Sequence, residues 1–366
     1  MMLTMVVDGM TRRVAVAVAL VVLVVSVSCP RVVVGSLQGL YAMEGGSGQL
    51  QRVDWRTGTV EKVGPSLQSK GWHVADCTPS DVDRTGKWYF ALAKPVSRND
   101  SSTPDAAQPW TLIGMLLADA TIRTTQQLPD LFDPGMDACE HTVSVNSGWD
   151  AIVTAVTGKH TADPRLSVVL FNYTLATTRQ TRVLVNESLA AIGLGGPAKH
   201  PATTFVTATG SLWVQLEQGL VECYLTNGSC ARTLPFAPQQ LLTGLQYQPS
   251  SFVYGVLVPP PSRNAAQLQT AQPAAQTHAL GAFDPISMAP SITRITLSSP
   301  VTVAHGGTAM ALLSDQAKVV LLTTGGDLVT AHINGTVAST VKLCSPSANV
   351  SLPACPASMV YEPFVF

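Results

Sequence analysis

Leu50-Gln51-Arg52-Val53-Asp54-Trp55-Arg56-Thr57-Gly58-Thr59-Val60-Glu61-Lys62-Val63 decides the fold. Apolar and polar residues alternate on both sides of a Thr57-Gly58 turn, as two half-buried antiparallel strands require. Weaker copies of this hairpin run through Leu112–Leu128, Val168–Val185, Leu220–Leu234, Ile292–Val303 and Leu328–Leu343. Asn227-Gly228 and Asn334-Gly335 supply the tight turns of two of them.

A second hairpin alternates with the first. Gly86, Gly148 and Gly210 lie 62 residues apart (86 to 148 to 210), each with a tryptophan close behind it: Trp88, Trp149 and Trp213. Each glycine follows Thr or Ser, and each tryptophan opens an apolar stretch such as Tyr89-Phe90-Ala91-Leu92. That is a strand, a turn using glycine's freedom at φ > 0, then a second strand.

Together the hairpins give about six units of four short strands, at the ~45–65-residue period of propellers and arrays. A blade cannot bury both its faces alone, so neighbours must stack around an axis. The expected fold is therefore all-β: a single β-propeller over residues 36–366, six-bladed, with seven blades as the alternative. The first unit, Leu37–Val63, has room for three strands only. The segment Ala357-Ser358-Met359-Val360-Tyr361 onward to Phe366 is expected to supply the missing inner strand and close the ring. No stretch after the first thirty or so residues combines a helical period with caps, and Glu187–Ile192 reads as a loop. Residues 258–285, rich in Pro, Ala and Gln from Pro259 to Gly281, read as a flexible insertion. Asn99–Pro109 is a shorter loop of that kind.

Gly39-Leu40-Tyr41, Gly48-Gln49-Leu50, Val53-Asp54 and Thr57-Gly58 resemble a blade of secreted six- or seven-bladed β-propellers, where Leu-Tyr … Gly-x-Leu-x-x-Val-Asp-x-x-Thr-Gly repeats recur. The resemblance is to the fold group and implies no activity. WD-repeat signatures are absent from regular positions. Asp83-Arg84-Thr85-Gly86-Lys87-Trp88 is faintly similar to the Asp-box of sialidases, but Arg52, Arg123 and Arg182 fall on outer hairpins and do not form the arginine cluster that activity needs.

Composition agrees with a large buried core. Of 366 residues, 12% are charged and 46% apolar, against about a quarter charged in ordinary domains. The net charge of −1 argues against nucleic acid as a partner, since phosphate binding leans on a basic surface. Arg12 and Arg13, the uncharged run Val14–Val25 and the small residues Ser26 and Ser28 form the three regions of a signal peptide over residues 1–28. An uncleaved signal anchor is the alternative, and only then would a membrane be a partner.

Val32–Gly35 then Ser36 offers a second possible cut, and removal of Cys29 with the leader would leave six of the seven cysteines, an even set suited to disulfides. Cys223–Cys230 straddles the Asn227-Gly228 turn, Cys344–Cys355 closes a Pro-containing loop, and Cys77–Cys139 remains by elimination. Six N-x-S/T sequons, at Asn99, Asn172, Asn186, Asn227, Asn334 and Asn349, fit a secreted or cell-surface glycoprotein.

Chemistry is harder to find. The hydrolase elbow, the P-loop, the dinucleotide fingerprint and H-E-x-x-H are absent, and Gly193-Leu194-Gly195-Gly196 reads as a loop. His73-Val74-Ala75-Asp76-Cys77 and Asp137-Ala138-Cys139-Glu140-His141 precede Gly-Trp units at nearly equal distances, hence occupy equivalent places in neighbouring blades. His73, Cys77, Cys139 and His141 match a tetrahedral zinc set, while the exported compartment favours a Cys77–Cys139 disulfide. Asp81-Val82-Asp83 mimics the start of a calcium loop, but Leu92 stands where the closing carboxylate belongs. No cofactor is expected, with calcium as the remote exception. The other histidines, His160, His200, His278, His305 and His332, read as surface residues. The expected function is non-enzymatic binding of an extracellular protein or glycan. The alternative is an extracellular hydrolase, lyase or cyclotransferase with a site at the channel mouth.

Overall fold

Three antiparallel strands, β1 (Leu40–Met43), β2 (Leu50–Val53) and β3 (Val60–Val63), begin a sheet that takes its fourth strand from far along the chain. β25 (Ser358–Tyr361) pairs with β1, Leu40 facing Tyr361 and Met43 facing Ser358. The sheet order is β25-β1-β2-β3, so the late strand is the innermost one of blade 1. The computed structural model describes residues 39–75, 79–83, 85–96, 108–146, 150–158, 161–172, 181–198, 201–237, 241–249, 252–258, 278–304 and 309–343, and the backbone of 358–361.

Blade 2 contains β4 (Trp72–His73), β5 (Ser80–Val82), β6 (Trp88–Pro95), β7 (Thr111–Leu116) and β8 (Ile122–Gln127); blade 3 contains β9 (His141–Val145), β10 (Asp150–Thr157), β11 (Arg165–Asn172) and β12 (Thr181–Ser188). Blade 4 is β13 (Thr203–Val206), β14 (Ser211–Leu216), β15 (Gly219–Tyr224) and β16 (Ser229–Pro235). Blade 5 is β17 (Leu241–Tyr247), β18 (Val253–Val258), β19 (Ala279–Phe283) and β20 (Thr293–Ile295); blade 6 is β21 (Met310–Leu313), β22 (Lys318–Leu322), β23 (Asp327–His332) and β24 (Val337–Lys342). The innermost strands touch in sequence, β25 to β5, β9, β13, β17, β21 and back to β25, which closes a six-bladed β-propeller.

Blades flanked on both sides bury both faces, so strands such as β6 and β10 are nearly continuous buried runs. On β6, Tyr89 and Ala91 pack with Tyr41 and Met43 of blade 1, while Phe90 and Leu92 pack with Val143 and Val153 of blade 3. Tyr254 and Val256 of blade 5 meet Met310 and Leu312 of blade 6, and that cluster runs on to Leu40 and Val53 of blade 1. At ~25 cal/mol per Å² of apolar surface, these seams dominate the stability.

The outer hairpin turn of one blade presses on the outermost strand of the blade before it. A Cβ on Gly58, between β2 and β3, would lie 2.6 Å from the Lys342 carbonyl of β24. Gly228 and Gly335 sit likewise, 2.4 Å from the Leu184 carbonyl and 2.2 Å from the Thr296 carbonyl. Their φ of 72° and 93° adds a second reason for glycine.

Blade 2 adds a detail to the expected fold, and three sequence readings need correction. The inner strand of blade 2 is split into β4 and β5, both paired with β6. Leu189–Ile192 is one turn of α-helix (α1), closed by the Gly193 N–H on the Leu189 carbonyl and anchored by buried Leu189. The segment read as an insertion over 258–285 gives way by Ala279 to β19, which packs Leu280 and Ala282 with blade 6 and Ala279 and Phe283 with blade 4 and so shows no polar alternation. Residues 259–277 lie outside the described residues. Ile292–Val303 is no hairpin, because β20 ends at Ile295 and its partner is β19.

Candidate functional site

The histidine and cysteine segments do come to adjacent blades. His73, on β4, lies opposite Lys94 of β6. Cys77 lies outside the described residues. Cys139 sits in the short 3₁₀ turn Ala138–Glu140, where the Asp137 carboxylate accepts from the Cys139 N–H and Glu140 accepts from the Asp137 N–H. Cys139 is disulfide-bonded, which removes the thiolate a zinc ion would need. Among the described residues no three His, Cys, Asp or Glu side chains converge as metal ligands.

His141, the first residue of β9, is 1% exposed. Its Nδ1–H donates to the Asp137 carbonyl at 2.9 Å, which sets the tautomer and leaves Nε2 without a partner. The ring lies 6.2 Å from Trp110 and 5.7 Å from Phe132. Burial holds its pKa down at about 4, with Lys94 nearby adding to that and Asp137 and Glu140 opposing it. Lys94 is itself 5% exposed, donates to the Pro134 carbonyl and stands 4.9 Å over the Trp110 ring. The histidine is therefore neutral at pH 7 and walled in by aromatic rings. This arrangement locks the β8–β9 connection onto blade 2 and offers no open position for a reactant.

The inner strands carry hydroxyls bonded to one another. Ser144 and Thr203 are 2.7 Å apart, and Thr203 donates to Thr142 at 3.0 Å, linking blades 3 and 4. The calcium-like residues have protein partners too. Asp81 accepts from Val82 and, across the seam, from Val145 at 2.8 Å. Buried Asp83 accepts from the N–H groups of Lys87 and Trp88 and from the Thr85 hydroxyl, holding the β5–β6 turn.

Blade 5 differs from this closed interior. The β19–β20 loop carries Ile286 and Met288, 52% and 92% exposed, and Phe252 beside the same sheet end is 42% exposed. Phe252 directly precedes Val253, which pairs with Phe283, and its ring lies 6.3 Å from that of Tyr254. The loop is fastened from blade 4: Arg232 donates to the Ser287 carbonyl at 2.6 Å and to the Pro285 carbonyl. Asp284 accepts from the Ile286 N–H, and Ser287 from the Ala289 N–H. Arg232 is aligned in turn by Glu222. Sequence reasoning missed this group, because an isolated Glu in β15 and Arg in β16 are signalled only by their cross-strand register.

Cys223–Cys230 forms a disulfide across β15 and β16; Cys344 and Cys355 lie outside the described residues. Asn227 and Asn334 head exposed turns, their side-chain oxygens accepting from Ser229 and Thr336. Asn186 is exposed on β12 and bonded to Arg165, and Asn172 ends β11 half-buried. Asn99 and Asn349 lie outside the described residues, as do residues 1–38, His160, His200 and His305. His278 corrects the surface reading: it is 9% exposed and its Nδ1 accepts from the Val303 N–H at 2.8 Å. His332 is half-buried.

No protein-family model and no curated protein matches the sequence. Solved structures with the same architecture do. The Myceliophteria thermophila Cps50 (Swd1) β-propeller domain is 11% identical over 88% of this chain and 87% of its own, with a TM-score of 0.45. The Penicillium chrysogenum α-L-arabinanase complexed with arabinobiose is 10% identical over 72% and 81%, at 0.44. Chaetomium thermophilum Raptor is 9% identical over 79% of this chain, at 0.42, and the match spans only 26% of its length. At these identities the likeness concerns the fold alone.

Proposed function

We propose that this protein is an exported β-propeller glycoprotein that binds rather than catalyses, and that its partner is an extracellular protein docked on the β19–β20 end of blade 5. The observation that carries the reading is the exposure of Ile286 and Met288 on a loop tied down at Pro285 and Ser287 by Arg232. A tethered loop loses little conformational entropy on binding, so its apolar side chains contribute more of their burial to affinity. The enzyme alternative has less support: among the described inner-strand residues, the carboxylate Asp81 is held by two backbone N–H groups.

The test is binding of labelled, secreted full chain to intact cells of its source, competed by unlabelled wild type and by an Ile286→Glu/Met288→Glu variant. The variant should fold normally and fail to compete. Equal competition by the variant would remove blade 5 from the reading. Turnover of a glycan or peptide by wild type would favour the enzyme.

A further inference from the structure

The connector from blade 5 to blade 6 is pinned at both ends. At the outer edge Ser298 donates its N–H to the Gly335 carbonyl and accepts from Val337, both at 2.9 Å. At the inner edge Ala304 donates to Leu322 at 2.7 Å, and Thr324 donates to Thr302 at 3.0 Å. Between the pins a cleft of about 300 Å³ separates Ser299–Thr302 from blade 6. Cross-strand pairing puts Asp327 opposite Lys342 and Val329 opposite Thr340, which brings an acid, a hydroxyl and an apolar surface to one wall.

We propose that this cleft is a subsite for one neutral pyranose unit of a glycan, separate from the blade 5 surface. Its volume lies at the bottom of the ~300–1,000 Å³ range of ligand pockets, which suits a single ring and excludes a large cofactor. Ser299, Thr324 and Thr340 line it, and their hydroxyls make no hydrogen bond with the described protein. A hydroxyl both donates and accepts, matching the hydroxyls of a sugar. The charge present is balanced: Asp327 holds Lys342 at 3.2 Å, and Lys342 also donates to the Gly325 carbonyl. Among the described residues, a phosphate or carboxylate finds no unpaired cation there. The second Asp327 oxygen lies 3.3 Å from where a Cβ on Gly325 would stand, so the glycine keeps a side chain away from it; an ionised carboxylate is a strong acceptor for a sugar hydroxyl. Val301, Val329 and Val337 supply an apolar floor for the C–H face of the ring.

The experiment is saturation-transfer NMR on the full chain, secreted and enzymatically freed of N-glycans. The probes are the methyl glycosides of mannose, galactose and glucose and free N-acetylglucosamine, each at about 10 mM, above a Kd of about 1 mM. Transfer to at least one probe is expected. Asp327→Asn should weaken it about tenfold, Thr340→Val about threefold, and Met288→Glu not at all. Thr340→Val leaves the Asp327–Lys342 pair intact, so its effect reports on the cleft and not on folding; thermal unfolding of each variant checks this. Three results would overturn the proposal: no transfer from any probe, equal affinity in both cleft variants, or displacement of the sugar by inorganic phosphate.

Discussion

The carboxylate of Glu222, wholly buried in β15, holds the Arg232 guanidinium of β16 at 2.6 Å. Ser211 and Tyr224 donate to the same carboxylate at 2.5 and 2.9 Å, and the guanidinium lies 5.4 Å from the Trp213 ring centroid. One buried acid thus fixes the cation that fixes the blade 5 loop. Arg232→Ala should cost about 3–5 kcal/mol, because it leaves a buried charge unpaired. Urea unfolding measures that cost. Limited proteolysis should also show cleavage near Met288 appearing before any other cut, and uniform protection of the loop would contradict the tether.

Stability should fall as the solution is acidified through the histidine range. His141 has a folded pKa of about 4 against an ordinary 6.5, so between those values the unfolded chain binds the extra proton. Stability is complete above pH 6.5, is lost as pH falls toward 4, and levels off below. The loss is about 3 kcal/mol at 1.36 kcal/mol per pKa unit. His278, lowered by burial, works with the same sign. His141→Phe keeps the aromatic packing and should flatten the slope of unfolding free energy between pH 6.5 and 4. An unchanged slope would place the dependence elsewhere.

The seam turns should discriminate sharply between glycines of similar φ. Gly335→Ala puts a Cβ 2.2 Å from the Thr296 carbonyl, which requires the two blades to part; about 3 kcal/mol should be lost, the upper end of the usual cost of overpacking. Gly193, at φ 75°, has nothing within 4 Å of its Cβ position, so Gly193→Ala should cost only the ~1–2 kcal/mol of left-handed strain. Equal losses at the two sites would mean that conformational strain, and not blade contact, decides them.

Truncation before Ser358 removes the innermost strand of blade 1. The last residues of a domain are usually dispensable, but here the backbone pairing of β1 from Leu40 to Met43 is lost and the ring opens. A drop in the unfolding midpoint of tens of degrees, or failure to be secreted folded, is expected from calorimetry and yield. A shift of a few degrees would show that five blades and a three-stranded remnant hold themselves together.

Export itself is checked by intact mass. The secreted chain should begin near Cys29 or Ser36 and lose glycan mass on enzymatic treatment, with the exposed turns at Asn227 and Asn334 the expected sites. A retained N-terminus with bare sequons would overturn the compartment.

The six-bladed ring and its closure were legible because strand patterns are local: Leu50–Val63 alternates around its own turn, and the shortage of strands in the first unit points to a donor elsewhere. Gly86 and Gly210 mark the β5–β6 and β13–β14 turns, while Gly148 and Trp149 lie outside the described residues. What failed to show depends on contacts between blades. His141 is buried by Trp110 and Phe132, which come from residues before its own blade, so nothing beside it in sequence marks it as core. Ala279–Phe283 was hidden because a strand with both faces covered needs no alternation. Exposure at Met288 was invisible because it follows from the tether at Arg232, a residue of another blade.

The pairing of β25 with β1 also sets an order in time. At ~5–20 residues per second, Ser358 leaves the ribosome on the order of 15–60 s after Val63. Throughout that interval the inner edge of β1 is an unpaired template, open to any passing strand. The nascent chain therefore carries an open strand edge from the first blade to the last, and shields it only when synthesis has passed Tyr361.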